Sequence, residues 1–231
     1  MKPAMARKKP IAVFDIDGTI FRSSLLIEFN ALLVQKGIFP ASATRTVEAV
    51  RQAWINRQGS YQAYIDTIVR LYLRDIKGTS VRRLRQITQQ VIQEQKHKVY
   101  VFTRDLIRKL RKSHQLAIIS FSPSEVVEEF RREYRFGIAQ GIAYEHKKGK
   151  YTGRVMPGTV FDKKAILLEL VERHGLSLKG STGVGDTETD ADFLHLVENP
   201  IAFNPNQKLY RIARREKWPI VVERKDVMYH L

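Results

Sequence analysis

The spacing of apolar positions changes twice along this chain. Ile11-Ala12-Val13-Phe14 is an unbroken apolar run that stops at Asp15. A run this short suits a strand buried on both faces, as in a parallel sheet. From about residue 23 to 102 the pattern becomes helical. Leu25, Phe29, Leu32 and Leu33 share one face, as do Tyr61, Tyr64, Ile65, Ile68, Leu71 and Tyr72. Gly37–Pro40, Gln58–Ser60 and Lys77–Ser80 punctuate the stretch. It predicts three or four helices and no strand before Tyr100. Strand signals then return at Leu116–Ile119, which leads into Ser120. A helix is expected over 124–134. His146-Lys147-Lys148-Gly149-Lys150 separates Ile142–Tyr144 from Tyr151–Val155, which reads as a β-hairpin. Ala165–His174 is an amphipathic helix stopped by Gly175. Short strands follow at 181–184, 201–203 and 220–222. This alternation predicts an α/β fold with a doubly wound parallel sheet, interrupted after its first strand by the helical block.

Composition narrows the class. The chain has 231 residues, 43% hydrophobic and 28% charged, a globular balance long enough to bury a core without staples. It has no cysteine, which excludes disulfides, zinc–thiolate sites, iron–sulfur clusters and thiol nucleophiles. The net charge is +16. That suits attraction to nucleic acid, an acidic surface or phosphorylated substrates, and equally a plain solvated surface. Residues 23–102 carry 12 basic and 5 acidic residues, hence +7, and the remainder carries +9. No helix has a basic stripe interleaved with aromatics, and Arg82, Arg83 and Arg85 read as a solvated face. No apolar run reaches the ~18 residues of a membrane span. Lys2, Arg7, Lys8 and Lys9 precede an apolar run too short for a signal peptide. A cytoplasmic protein with a short, mobile basic tail is expected.

The candidate chemistry sits at strand ends. Asp15 and Asp17 follow the first strand, where open α/β sheets bind ligands. Two adjacent anions call for a cation or a shared proton, and a hard divalent ion with oxygen ligands answers that need. Asp, Gly and Thr are also ordinary turn residues. A second acidic cluster shifts the balance: Gly183-Val184-Gly185-Asp186-Thr187-Glu188-Thr189-Asp190 again follows an apolar strand. If a helix begins there, Asp186 and Asp190 lie one turn apart, although Asp186 also suits a simple helix cap. Ser120 and the amides before Pro123 are placed to hold phosphate oxygens. Lys163 and Lys164 open a helix, where a cation opposes the helix dipole. An anionic partner accounts for them, and so does a plain surface.

Asp15-Ile16-Asp17-Gly18-Thr19 resembles the first motif of haloacid-dehalogenase-like (HAD) phosphatases. Ser120 resembles their second motif, Lys163 their third, and Gly185-Asp186-Thr187-Glu188-Thr189-Asp190 their fourth. The four occur in order, and Asn204-Pro205-Asn206 to Trp218-Pro219-Ile220 is similar to the phosphoserine-phosphatase-like branch, family IB. The resemblance implies a Rossmann-like core over 1–22 and 103–231, with a helical cap inserted over 23–102. It implies that Asp15 is the nucleophile forming an aspartyl-phosphate and Asp17 the general acid and then base. Mg²⁺ would be held by the Asp15 carboxylate, the Asp17 carbonyl and Asp186, with Asp190 acting directly or through water. Ser120 and Lys163 would bind the phosphoryl oxygens, with Lys164 the alternative lysine.

The chain also departs from the phosphoserine enzymes. Ser24 stands where they carry a Glu for the substrate amine, in the stretch Arg22-Ser23-Ser24. Ile68 aligns with their cap Arg, with Arg70 and Arg74 nearby, and Ser120-Phe121-Ser122 replaces Ser-Gly-Gly. Arg22, Ser24 and Arg70 are therefore candidate substrate contacts, and phosphoserine is expected to be a poor substrate beside more anionic phosphomonoesters. The leading expectation is a Mg²⁺-dependent phosphatase acting on a small phosphomonoester. Transfer of the phosphoryl group to an alcohol is an alternative. A basic nucleic-acid or anionic-surface binding protein on a HAD scaffold is another, supported by charge and by no motif.

Overall fold

A computed structural model describes residues 8–231. The basic tail expected around Lys2 and Arg7 falls largely outside the described residues. Strand β1 (Pro10–Phe14) lies near the middle of a seven-stranded sheet. It is flanked in parallel by β2 (Gln115–Pro123) and β6 (Ser177–Gly185). Beyond β2 lies β3 (Ile138–Ile142), and beyond β6 lie β7 (Asn199–Phe203) and β8 (Ile220–Arg224), all parallel. An antiparallel strand β9 (Val227–His230) closes that edge. The sheet order β3-β2-β1-β6-β7-β8-β9 reverses direction at β1, which creates a crevice at the carboxyl ends of β1, β2 and β6.

Side-chain alternation divides the core into two layers. Ala12, Phe14, Leu116, Ile118 and Val184 face one side, while Ile11, Val13, Ala117 and Ile119 face the other. The second layer is covered by α7 (Lys163–Arg173), α8 (Glu188–Leu194) and α9 (Gln207–Glu216). The first layer is continuous with the helical block, formed by α1 (Leu25–Gln35), α2 (Ala41–Ile55), α3 (Tyr61–Asp75) and α4 (Val81–Gln95). Phe39 meets Tyr72 edge-on, an arrangement favoured by the ring quadrupole, and Phe29 packs against Tyr72 at a tilt. No helix among the described residues is long and apolar enough to cross a membrane.

Four sequence expectations need adjustment. A boundary between 102 and 103 falls inside helix α5 (Val101–Leu110), whose first amides, Val101 N and Phe102 N, donate to Glu223 of β8. The helix is tied to the sheet from its first residue. Strand β2 runs four residues past Ile119, so Ser120 is not at its end. Its pairing with β1 stops at Phe14↔Ile118 and its register with β3 shifts after Ile119, which frees residues 120–122 to bend over the crevice. The expected hairpin begins two residues later, as β4 (Tyr144–Lys147) and β5 (Lys150–Val155), because Ile142 belongs to β3. It leans on the helical block, where Gly78 N donates to Tyr151 O and Val81 N to Gly149 O. Finally, β3 and β9 are strands absent from the sequence expectation.

Candidate active site

The site grows from the loop after β1. Asp15, its first residue, is buried and donates its amide to Val184 O, 3.1 Å away. The Ile16 carbonyl then accepts from the amides of Thr19, Ile20 and Phe21, so the chain folds back at once. Gly18 sits at φ +78°, and a Cβ there would lie 2.1 Å from Asp186 Oδ2. Only glycine satisfies both constraints. Thr19 Oγ1 donates to Asp186 Oδ1 at 3.2 Å, locking the loops after β1 and β6 together.

Four carboxylates and one ammonium meet in this crevice. Lys163, buried in the first turn of α7, donates from Nζ to Asp15 Oδ1 (2.7 Å) and Asp190 Oδ1 (2.6 Å). Its place at a helix start is made tolerable by Asp162, whose carboxylate caps the amides of Lys164 and Ala165. Lys164 itself points to solvent. Asp190 Oδ2 accepts from Asp186 N, Thr187 N and Thr187 Oγ1. Thr187 is the N-cap of α8, so Asp186 precedes the helix and does not share its face with Asp190. Carboxylate oxygens of Asp15, Asp186 and Asp190 all lie within 4.8 Å of one another. Asp17 stands apart from that trio. Its Oδ1 accepts from Leu25 N at 2.5 Å and its Oδ2 from Ser122 Oγ at 2.6 Å. Ser120 Oγ accepts from Ser122 N at 3.1 Å, so the 120–122 segment frames this cluster.

Electrostatics mark the cluster as short of positive charge. Burial pushes the Asp15 carboxyl up to about 7; Lys163 opposes the shift and Asp190 and Asp17 add to it. Burial raises Asp17 too, against the hydrogen bonds from Ser122 and Leu25. Asp186 is raised well above the usual carboxylate range by burial and by the charges of Asp190 and Asp15. Burial works against the Lys163 ammonium, yet Asp15 and Asp190 together hold its proton more tightly than usual.

The candidate substrate contacts make no hydrogen bond to this cluster. Arg22 is exposed, with its guanidinium 5.6 Å from the Tyr100 ring centroid. Ser24 is buried as the N-cap of α1, and its hydroxyl caps no amide. Arg70 is exposed and Ile68 is buried in the core. Arg74 makes a forked ion pair with its neighbour Asp75. Phe121, not singled out from the sequence as a site group, does reach the site. Phe121 carries the Lys163 ammonium 5.1 Å from its ring centroid. Tyr61, the first residue of α3, has its hydroxyl proton held more tightly by burial and by the charges of Asp17, Asp186 and Asp15. Tyr61 is part of an ordinary helical apolar pattern, so nothing in the sequence distinguished it.

The model of the haloacid dehalogenase-like hydrolase family matches residues 12–195, and the chain belongs to that family. The curated relatives that it matches include proteins named as phosphatases. It is 28% identical over 218 residues to a Mycobacterium tuberculosis protein named phosphoserine phosphatase SerB1, covering 90% of this chain and 69% of that one. It is 24% identical over 226 residues to a histidinol-phosphatase of Neisseria meningitidis, covering 92% and 98%. A solved phosphoserine phosphatase holding a phospho-aspartyl intermediate analogue shares the fold, with a TM-score of 0.63 at 19% identity over 95% of this chain and 96% of that one.

Proposed function

We propose that the protein is a Mg²⁺-dependent phosphatase that hydrolyses a small phosphomonoester through an aspartyl-phosphate on Asp15. The observation that carries this reading is the Lys163 bridge. It fixes Asp15 by Oδ1 and leaves Oδ2 without a hydrogen-bond partner among the described residues, at the sheet's switch point. That oxygen attacks phosphorus while the bond to the leaving alcohol breaks. Asp17, held by Leu25 N and Ser122 Oγ, gives its proton to the departing oxygen. It then takes a proton from the water that attacks the phosphoenzyme, freeing Asp15 and inorganic phosphate. Ser120 Oγ and the Lys163 ammonium meet the phosphoryl oxygens.

The residues present fit a hard divalent ion. Three carboxylates, those of Asp15 and Asp190 buried and that of Asp186 partly so, offer oxygens within 4.8 Å of one another, and burial together with the neighbouring acidic charges makes Asp15 and Asp186 hold their protons abnormally well. Asp15 and Asp186 would be its direct carboxylate ligands, with the Asp17 carbonyl. Asp190 has both oxygens engaged by Lys163 and the amides of Asp186 and Thr187, so it acts by positioning them. The ion would offset phosphoryl charge as it builds in the transition state. The reading includes a cytoplasmic location, a core over 1–22 and 103–231 with the boundary drawn back to the start of α5, and the helical block as a cap. Acid-quenched protein mixed with substrate and Mg²⁺ should carry acyl-phosphate on the peptide containing Asp15. Turnover without such a species, or an Asp15→Asn protein that keeps most of its activity, would overturn the mechanism.

A further inference from the structure

The cations of the helical block are of two kinds. Arg51, Arg74, Lys96 and Lys98 make ion pairs, with Glu48, Asp75, Glu133 and Glu28. Lys77, Arg82, Arg83 and Arg85 are exposed and make none among the described residues. No acidic residue stands between Asp75 and Glu94. Arg82 and Arg83 occupy the first turn of α4, which holds no acid and whose N-cap Ser80 makes no side-chain cap. Cations there oppose the helix dipole. Packing then adds more positive charge. Residues 78–81 run beside β5: Gly78 N donates to Tyr151 O (2.8 Å), Tyr151 N to Thr79 O (3.0 Å) and Val81 N to Gly149 O (3.0 Å). Gly153 permits the approach, since a Cβ there would lie 2.8 Å from Leu73 O. Lys148 and Gly149 both take positive φ in the tight turn of the hairpin, which gathers Lys147, Lys148 and Lys150 at its tip, with Arg154 further along β5. All four are exposed, and Lys147 alone is paired, with Glu145 at 3.3 Å. Over 76–93 and 145–155 there are eight basic residues and one acidic, hence +7 of the chain's +16.

Helix α9 is also basic, but its charge is compensated. Lys208 and Arg215 pair with Glu188 and Glu216, and Arg214 and Arg215 lie in the last turn, where the dipole favours cations. The surface at α4 and the hairpin has neither compensation, and its clustered like charges repel until a polyanion meets them. Its chemistry narrows the partner. No large hydrophobic side chain is exposed over 76–95 or 144–155. The surface therefore has nothing to stack on unpaired bases or to sink into a bilayer. Gln86 and Gln89, exposed one and two turns past Arg82, extend the face with amides that donate to phosphate and sugar oxygens. None of these side chains hydrogen-bonds to the carboxylate cluster or to Lys163.

We propose that the α4 start and the β4–β5 hairpin together bind duplex nucleic acid through its phosphate backbone, without reading bases. The inference does not depend on the phosphatase reading. Its test is the Kd of the whole protein for fluorescent DNA and RNA duplexes of about 20 base pairs, by anisotropy between roughly 50 and 200 mM salt. If about four cations each neutralise a phosphate, Kd rises about tenfold for each doubling of salt. The triple variant Arg82→Gln, Arg83→Gln, Lys150→Gln should weaken binding at least tenfold and flatten that dependence. The triple variant Arg211→Gln, Arg214→Gln, Arg215→Gln removes the same charge from α9 and should weaken binding less than threefold. All six positions are exposed, so both variants should keep the wild-type circular dichroism. Equal losses in the two variants would reduce the binding to net charge and overturn the proposal. So would tighter binding to single strands of the same length, tighter binding to phosphatidylcholine vesicles with about 30% phosphatidylserine, or no duplex binding at about 50 mM salt. Ester hydrolysis plays no part in this readout, so each of those results leaves the phosphatase reading standing.

Discussion

Replacing Asp15 by Asn should change the pH dependence of stability as well as abolish turnover. Asp15 in the folded protein holds its proton up to about pH 7, against 3.8 for an ordinary aspartate. Between those values the folded state binds more protons than the unfolded state, so stability falls as pH rises through that window. A shift of about three units corresponds to roughly 4 kcal/mol lost by the metal-free protein between pH 4 and pH 8. The amide of the Asp15→Asn variant cannot ionise, so that protein should lose less. The assay is urea unfolding in chelator at pH 5, 6, 7 and 8 and constant ionic strength. The stability of Asp15→Asn minus that of wild type should climb by a few kcal/mol across the series. Mg²⁺ should restore wild-type stability more at pH 8 than at pH 5, because its ligands must be deprotonated to bind it. A flat difference between the two proteins, or wild-type stability that rises with pH in chelator, would refute the description of Asp15 as a buried carboxyl awaiting a cation.

Two further substitutions probe the same cluster. Lys163→Met removes the one ammonium that bridges Asp15 and Asp190; it should abolish phosphoenzyme formation and cost about 3–5 kcal/mol at pH 8, since it strands buried carboxylates. Unfolding in denaturant reads the cost, and a loss below about 1 kcal/mol would contradict the burial argument. Ser122→Ala deletes one of the two hydrogen bonds that hold Asp17 and should lower kcat roughly tenfold for esters of alkyl alcohols but little for 4-nitrophenyl phosphate, whose leaving group needs no proton. Ser122→Thr should recover most of the loss, and equal loss on both kinds of ester would show that Ser122 does not work through Asp17.

The sequence by itself determined the α/β alternation and the order of the candidate catalytic groups. Ile11–Phe14 reads as a doubly buried strand, and the acidic residues just past it and past Val184 then fall at carboxyl ends of parallel strands. Those are local properties: a run length, a strand end, a turn glycine. Lys163 was visible as a cation in an unfavourable helical position, a local conflict that an anionic partner or a plain surface explained equally well. The identity of that partner was not local. That Lys163 rather than Lys164 turns inward, and that it bridges two aspartates 148 and 27 residues away, depends on how α7 packs across the sheet. The same holds for Asp190, whose oxygens are consumed by the α8 cap and by Lys163, and for Asp17, which is drawn out of the carboxylate trio by Ser122 and Leu25. Tyr61 shows the limit most plainly. Helical periodicity assigns it to an apolar face, but whether that face ends in a core or stays partly open, as at Tyr61, is set by how α2 and α3 pack together. Periodicity records which residues avoid water; only the packed chain decides what they meet instead.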